Sequence, residues 1–92
     1  MPDLSNTNFL PVGAPTLNLV GYGVTLSFVV VKDREYDQFV VGLVESPVNI
    51  VALAYVASTE HGLSVLSSIF RGFLSLGFTA EPGEIGDTTW LV

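Results

Sequence analysis

Residues 17–31 of this chain alternate with a period of two, and that alternation commits the chain to a sheet. Val20, Tyr22, Val24, Leu26, Phe28 and Val30 take the even positions; Gly21, Gly23, Thr25 and Ser27 take the odd ones, before Val29 and Val31. Successive side chains of a strand point to opposite faces, so the pattern puts large residues on one side and small or polar ones on the other. The β-branched and aromatic types suit such a pleated surface. One long strand over 17–31 is expected, with Gly21 and Gly23 on a shared face marking a bend or a close backbone approach. Strands usually run to roughly 5–6 residues, so this one is expected to bend or to serve two sheets.

The run Lys32-Asp33-Arg34-Glu35-Tyr36-Asp37 separates two apolar stretches and reads as a hairpin loop. A second strand is expected over 38–45. Phe39, Val41 and Leu43 share one of its faces and Val40 and Val44 the other, as in a central strand covered on both sides. Ser46-Pro47 suits either a helix start or a break between strands. In 48–57, Val48, Ile50, Val51 and Val56 favour a strand, while the alanines and Leu53 tolerate a helix. A buried strand is the reading adopted.

Ser58 or Thr59 then caps a helix running to about Leu76. At about 100° per residue, Leu63, Leu66, Phe70, Phe73 and Leu74 share one side, widened by Val65, Ile69 and Leu76. Glu60, Ser64, Ser67, Ser68, Arg71 and Ser75 share the other. Gly77 suits the left-handed position that ends a helix. Residues 81–87 are turn-rich, and Thr88-Thr89-Trp90-Leu91-Val92 reads as a closing strand, making 77–92 a short terminal hairpin. Residues 1–16 carry Pro2, Pro11, Pro15 and Gly13 and read as an irregular arm, with Phe9 and Leu10 to anchor it on the domain or on a neighbour.

The expected fold class is α+β. It is a small two-layer fold, mainly an antiparallel sheet of 4–5 strands covered by one amphipathic helix, in the order β-β-β-α-β with room for one more strand. A single domain spans 17–92 behind the arm.

Composition narrows the function. The net charge is −6, and the bases are Lys32, Arg34 and Arg71. Nucleic-acid binding needs cations to displace counterions from phosphates, and anionic membranes need them too, so neither partner is expected. The apolar runs are interrupted by Asn18 and two glycines, by Glu45, Pro47 and Asn49, and by Arg71 with its serines; none makes the roughly 20-residue apolar span of a membrane helix. The first residues lack the basic and apolar regions of a signal peptide, so a cytoplasmic location is expected. Without cysteine there is no thiolate metal site and no disulfide, and no cofactor is expected.

Chemistry has few candidates. His61 is the sole imidazole, beside Ser58, Thr59, Glu60 and Ser64. Glu60 and His61 are adjacent, about 100° apart on a helix, which is wrong for a base and its orienting partner. Both are read as polar residues of a helix's first turn. Glu81, Glu84 and Asp87 lack the spacing of a calcium loop and are read as a solvated turn. Gly21-Tyr22-Gly23 lies inside a strand pattern, not between strand and helix, so it is no phosphate loop. The protein is expected not to be an enzyme.

What stands out is the quality of the surface. Charged residues make up 13% of the chain, against about 25% in an ordinary domain. Apolar residues make up 49%, more than one small core is expected to hide. The helix's outer side is small and weakly polar, with Gly62 and Gly72 flanking it. Self-association is therefore expected, a homodimer first or contact with another protein, as a subunit or adaptor of a larger assembly. The candidate interaction surface comprises Ser64, Ser67, Ser68, Arg71, Ser75, Gly21, Gly23 and Trp90. The alternatives are a small-molecule pocket between sheet and helix lined by Tyr22, Phe28, Tyr55, Phe70 and His61, and a small acidic inhibitor of another protein.

Overall fold

The long alternating run folds back on itself. A computed structural model, which describes residues 13–33, 37–46, 49–81 and 90, divides it into β1 (Thr16–Gly21) and β2 (Val24–Asp33). β3 (Gln38–Ser46), β4 (Asn49–Val56), α1 (Thr59–Leu74) and β5 (Thr79–Ala80) follow. The strands form one antiparallel sheet in the order β4-β3-β2-β1-β5, and α1 packs on one face, giving an α+β domain. The element order is thus β-β-β-β-α-β, with one more strand before the helix than the sequence pattern predicts.

The extra strand comes from a hairpin at Tyr22-Gly23. Gly21 pairs with Val24, and both intervening residues have positive φ, 53° for Tyr22 and 74° for Gly23. That handedness matches the right-handed twist of the flanking strands. The expected single strand over 17–31 is corrected accordingly, and so is its face assignment. The register pairs Leu17 with Phe28 and Leu19 with Leu26, so odd positions of β1 share a face with even positions of β2. The core-facing positions switch from odd to even across the turn, and Val20, Tyr22 and Val24, large residues at even positions that the core does not bury, hide the switch from periodicity alone.

The face toward α1 holds Leu17, Leu19, Phe28, Val30, Val41 and Val56, closed by Leu66 from the helix. Leu63, Val65, Ile69, Phe70 and Phe73 pack around this cluster. Gly62 brings the helix onto β2: a Cβ there would lie 2.7 Å from a Val30 methyl. The opposite face holds a second cluster of Val29, Val31, Val40, Ile50 and Ala52, each no more than 6% exposed. β3 is accordingly a central strand buried on both faces, as its sequence indicates. This second cluster takes up part of the apolar content that a single core would leave over.

Both ends of the helix follow from local sequence. The Ser58 hydroxyl accepts from the His61 N–H at 3.1 Å, satisfying one of the amides that a first turn leaves open. At the other end Gly77 has φ 99°; its N–H bonds to the Leu74 carbonyl and the Phe78 N–H to the Phe73 carbonyl, both at 3.1 Å. This is the Schellman arrangement, with Phe78 and Phe73 in edge contact at 5.0 Å supplying its apolar clasp. Leu74 and Leu76, expected to face the core, are exposed, while Phe73 takes the inward position of the last turn.

Of the segment expected as a buried strand, Asn49–Val56 is a strand, but among the described residues it stands at the margin of the sheet and only part of it, Ile50, Ala52 and Val56, is buried. Leu53 forms a bulge opposite Val41 and Gly42, and the side chains alternate between buried and exposed. Of the expected arm over 1–16, residues 13–16 are described. Ala14 is buried, the Pro15 carbonyl accepts from the Val30 N–H at 3.0 Å, and Thr16 opens β1. Phe9 and Leu10 lie outside the described residues.

Candidate interaction surface

The two margins of the sheet are built differently. Along β1, Leu19 and Val20 pair with Ala80 and Thr79, the Glu81 N–H donates to the Asn18 carbonyl at 2.9 Å, and the Trp90 indole N–H donates to the Thr16 carbonyl at 2.6 Å. These contacts cover the outer side of β1 with the chain's own later residues. Along β4, no strand among the described residues lies farther out. β4 reads Asn-Ile-Val-Ala-Leu-Ala-Tyr-Val, without charge or proline, and exposes Leu53 at 43% and Tyr55 at 39%. Nearby, Asn49 donates to the Glu45 carboxylate at 2.9 Å.

The surface expected from the sequence is only partly assembled. Ser64, Ser68, Arg71 and Ser75 are exposed on the outer side of α1, with Ser67 half-buried. The Ser68 hydroxyl donates to the Ser64 carbonyl at 3.3 Å and the Ser75 hydroxyl to the Gly72 carbonyl at 2.7 Å, so both satisfy themselves within the helix. Gly23 is exposed at the β1–β2 turn. Gly21 and Trp90 are turned inward: Gly21 lies under the Phe78 ring, where a Cβ would approach to 2.7 Å, and Trp90 packs against the core next to β1. Gly62 is likewise internal, lying against Val30. The structure therefore separates the helix face from these three residues, because each provides a close approach within the fold.

The five residues of the expected pocket are not brought together. Phe28 is buried and Phe70 half-buried in the core beneath α1. Tyr55 pairs with Val40 on the opposite face of the sheet. Tyr22 stands 78% exposed on its turn, its hydroxyl donating to the Leu76 carbonyl and its ring meeting Phe78 edge-on at 5.4 Å. His61 and Glu60 are exposed on the first turn of α1. Of the acidic turn, Glu81 is described and exposed, while Glu84 and Asp87 lie outside the described residues. Among the described residues no three acidic or histidine side chains converge on a metal-binding geometry, and no helix is long and apolar enough to cross a membrane.

Leu53 has no signal of its own in the sequence reading, and Tyr55 enters it only as a pocket residue. The available cue is the absence of any charge from 49 to 56, which acquires meaning once β4 is known to be at the edge. Comparison with protein-family models, with curated proteins and with solved structures found no match.

Proposed function

We propose that the protein is a non-enzymatic interaction module that self-associates, two copies pairing their β4 strands edge to edge. The observation that carries the reading is the asymmetry of the sheet margins. An unpaired strand edge is a template for another chain, and folded proteins blunt it with charge, proline, short length, bulges or a covering segment. On the β1 side the covering is complete enough to engage the Thr16 and Asn18 carbonyls. On the β4 side the devices among the described residues are two register shifts in its pairing with β3, one at Val41/Gly42, where Leu53 bulges, and one at Val44/Ser46. A chain of net charge −6 repels its own copy, and the uncharged stretch 49–56 is where two copies approach at least electrostatic cost. A twofold axis normal to the sheet makes β4 antiparallel to its copy and keeps both helices on one face. The pair would present a continuous sheet with the serine-rich helix faces outward, suited to a subunit of a larger assembly.

Sedimentation equilibrium at micromolar concentration tests this. The expected mass is twice that of the 9.8 kDa chain. Leu53→Lys, which places like charges near the twofold axis, is expected to restore the monomer with an unchanged far-UV circular dichroism spectrum. A wild-type protein that stays monomeric overturns the reading.

A further inference from the structure

We propose that the end of the domain where the Tyr22-Gly23 turn meets the end of α1 is a docking site for an acidic, apolar peptide segment of another protein, its large side chains seated on Tyr22, Val24, Leu74 and Leu76 and its carboxylate on Arg71. This goes beyond the β4 pairing and does not depend on it. Six large apolar side chains are exposed among the described residues. Leu53 and Tyr55 belong to β4, and the other four are these. Contacts within the fold gather them at one end. The Tyr22 hydroxyl donates to the Leu76 carbonyl, and Leu74 lies two residues earlier at the last position of α1. Val24 is the first residue beyond the turn, paired with Gly21. Exposed apolar residues scattered singly are ordinary on a surface, whereas four at one place mark a contact.

The backbone at this end makes few demands on water. A helix normally leaves its last four carbonyls without partners. Here the Arg71 carbonyl accepts from the Ser75 N–H at 3.2 Å and the Gly72 carbonyl from the Ser75 hydroxyl at 2.7 Å. The Phe73 carbonyl accepts from the Leu76 N–H at 2.9 Å, and the Leu74 carbonyl from the Gly77 N–H at 3.1 Å. A partner can cover this end without stranding any of these acceptors. Side chains, not strand pairing, would hold it.

Charge selects the kind of segment. Arg71 is exposed and sits three residues before Leu74, a neighbouring position on the helix surface. Among the described residues Lys32 is paired with Asp37, while Arg71 joins no ion pair. Glu60 lies at the other end of α1, and Asp33 and Asp37 at the other end of β2. A second copy docked here by a twofold would bring Arg71 toward Arg71. Four side chains also fall short of the roughly 800 Å² per partner of a standard interface. A short segment that carries a carboxylate beside its apolar anchors meets both conditions.

Panning a phage-displayed library of random peptides against the wild-type protein tests the inference, with the enriched peptides then measured by fluorescence anisotropy. The enriched sequences are expected to combine large apolar residues with Asp or Glu. Leu74→Gln/Leu76→Gln is expected to weaken their binding by about tenfold or more. Arg71→Gln is expected to weaken it about two- to fivefold, as for an exposed ion pair, and to leave unchanged the binding of peptides whose acids are replaced by amides. Leu53→Lys, on the β4 margin, is expected to bind as wild type does. No enrichment, enrichment of peptides without acids, or binding that survives Leu74→Gln/Leu76→Gln overturns the inference. So does a lower sedimentation mass in that variant, which makes the patch a contact between copies. Flotation of wild type with phosphatidylcholine vesicles that the variant abolishes makes it a lipid contact and overturns the inference too. If the double variant loses its circular dichroism signature, Val24→Thr carries the same comparison from the strand. The β4 reading is decided separately, by the mass of wild type and of Leu53→Lys, so either proposal can fail alone.

Discussion

Gly62 and Gly72 sit on the same helix and meet opposite surroundings. A Cβ on Gly62 would lie 2.7 and 2.9 Å from the two Val30 methyls and 3.4 Å from the Val30 Cβ. Val30 is buried and β-branched, so it has little rotamer freedom with which to retreat. A Cβ on Gly72 would meet nothing within 4 Å. Alanine gains up to about 1 kcal/mol over glycine inside a helix, less near the ends. Overpacking a core typically costs about 1–3 kcal/mol. Gly72→Ala should therefore stabilise by about 0.5–1 kcal/mol, whereas Gly62→Ala should destabilise by about 1 kcal/mol once the propensity gain is subtracted. For a domain of this size 1 kcal/mol corresponds to roughly 4–8 °C in Tm. The two variants should melt on opposite sides of wild type in a thermal circular dichroism scan. Equal Tm values, or Gly62→Ala above wild type, would refute the account of α1 as a helix brought onto β2 by the missing side chain.

Other outcomes follow from single contacts. Ser58→Ala removes the cap on the His61 N–H and is expected to cost about 1 kcal/mol by urea denaturation, with Ser58→Asp restoring most of it. Gly77→Ala forces a side chain into φ 99°, with its Cβ 2.7 Å from the Tyr22 hydroxyl oxygen, and is expected to cost about 1–2 kcal/mol or more; a change within error would show that the helix end adapts freely. Asp37→Asn removes the charge of the 3.1 Å pair with Lys32 but keeps a residue that tolerates the positive φ of 51°. Both partners are largely exposed, so stability should move by less than about 0.5 kcal/mol, with no salt dependence beyond that of wild type.

Much of the architecture was open to reading along the chain, because it rests on interactions between near neighbours. The helix between Ser58 and Gly77 is set by a capping hydroxyl, a one-sided apolar stripe and, beyond its end, a glycine free to adopt positive φ. β3 declares itself by apolar residues on both faces; in 49–56 the β-branched residues favour a strand while the alanines and Leu53 tolerate a helix, and pairing with β3 decides between them. The hairpin at Tyr22-Gly23 was hidden because tyrosine is an uncommon first residue for such a turn and because large residues outside the core at Val20, Tyr22 and Val24 carry the even-position pattern through the point where the buried positions change parity. Its tyrosine is held by groups more than fifty positions away, the Leu76 carbonyl and the Phe78 ring.

Residue types and their periods along the chain determined that a sheet and a single helix would form, and where that helix begins and ends. Which strand stands at the margin, which glycine lies under a ring or against a valine, and where the one tryptophan, Trp90, packs were decided only by the tertiary structure. The physical reason is range. Backbone preference and side-chain alternation act over a few residues, whereas an edge is defined by what fails to pair with it, and a close approach by an atom from a distant part of the chain.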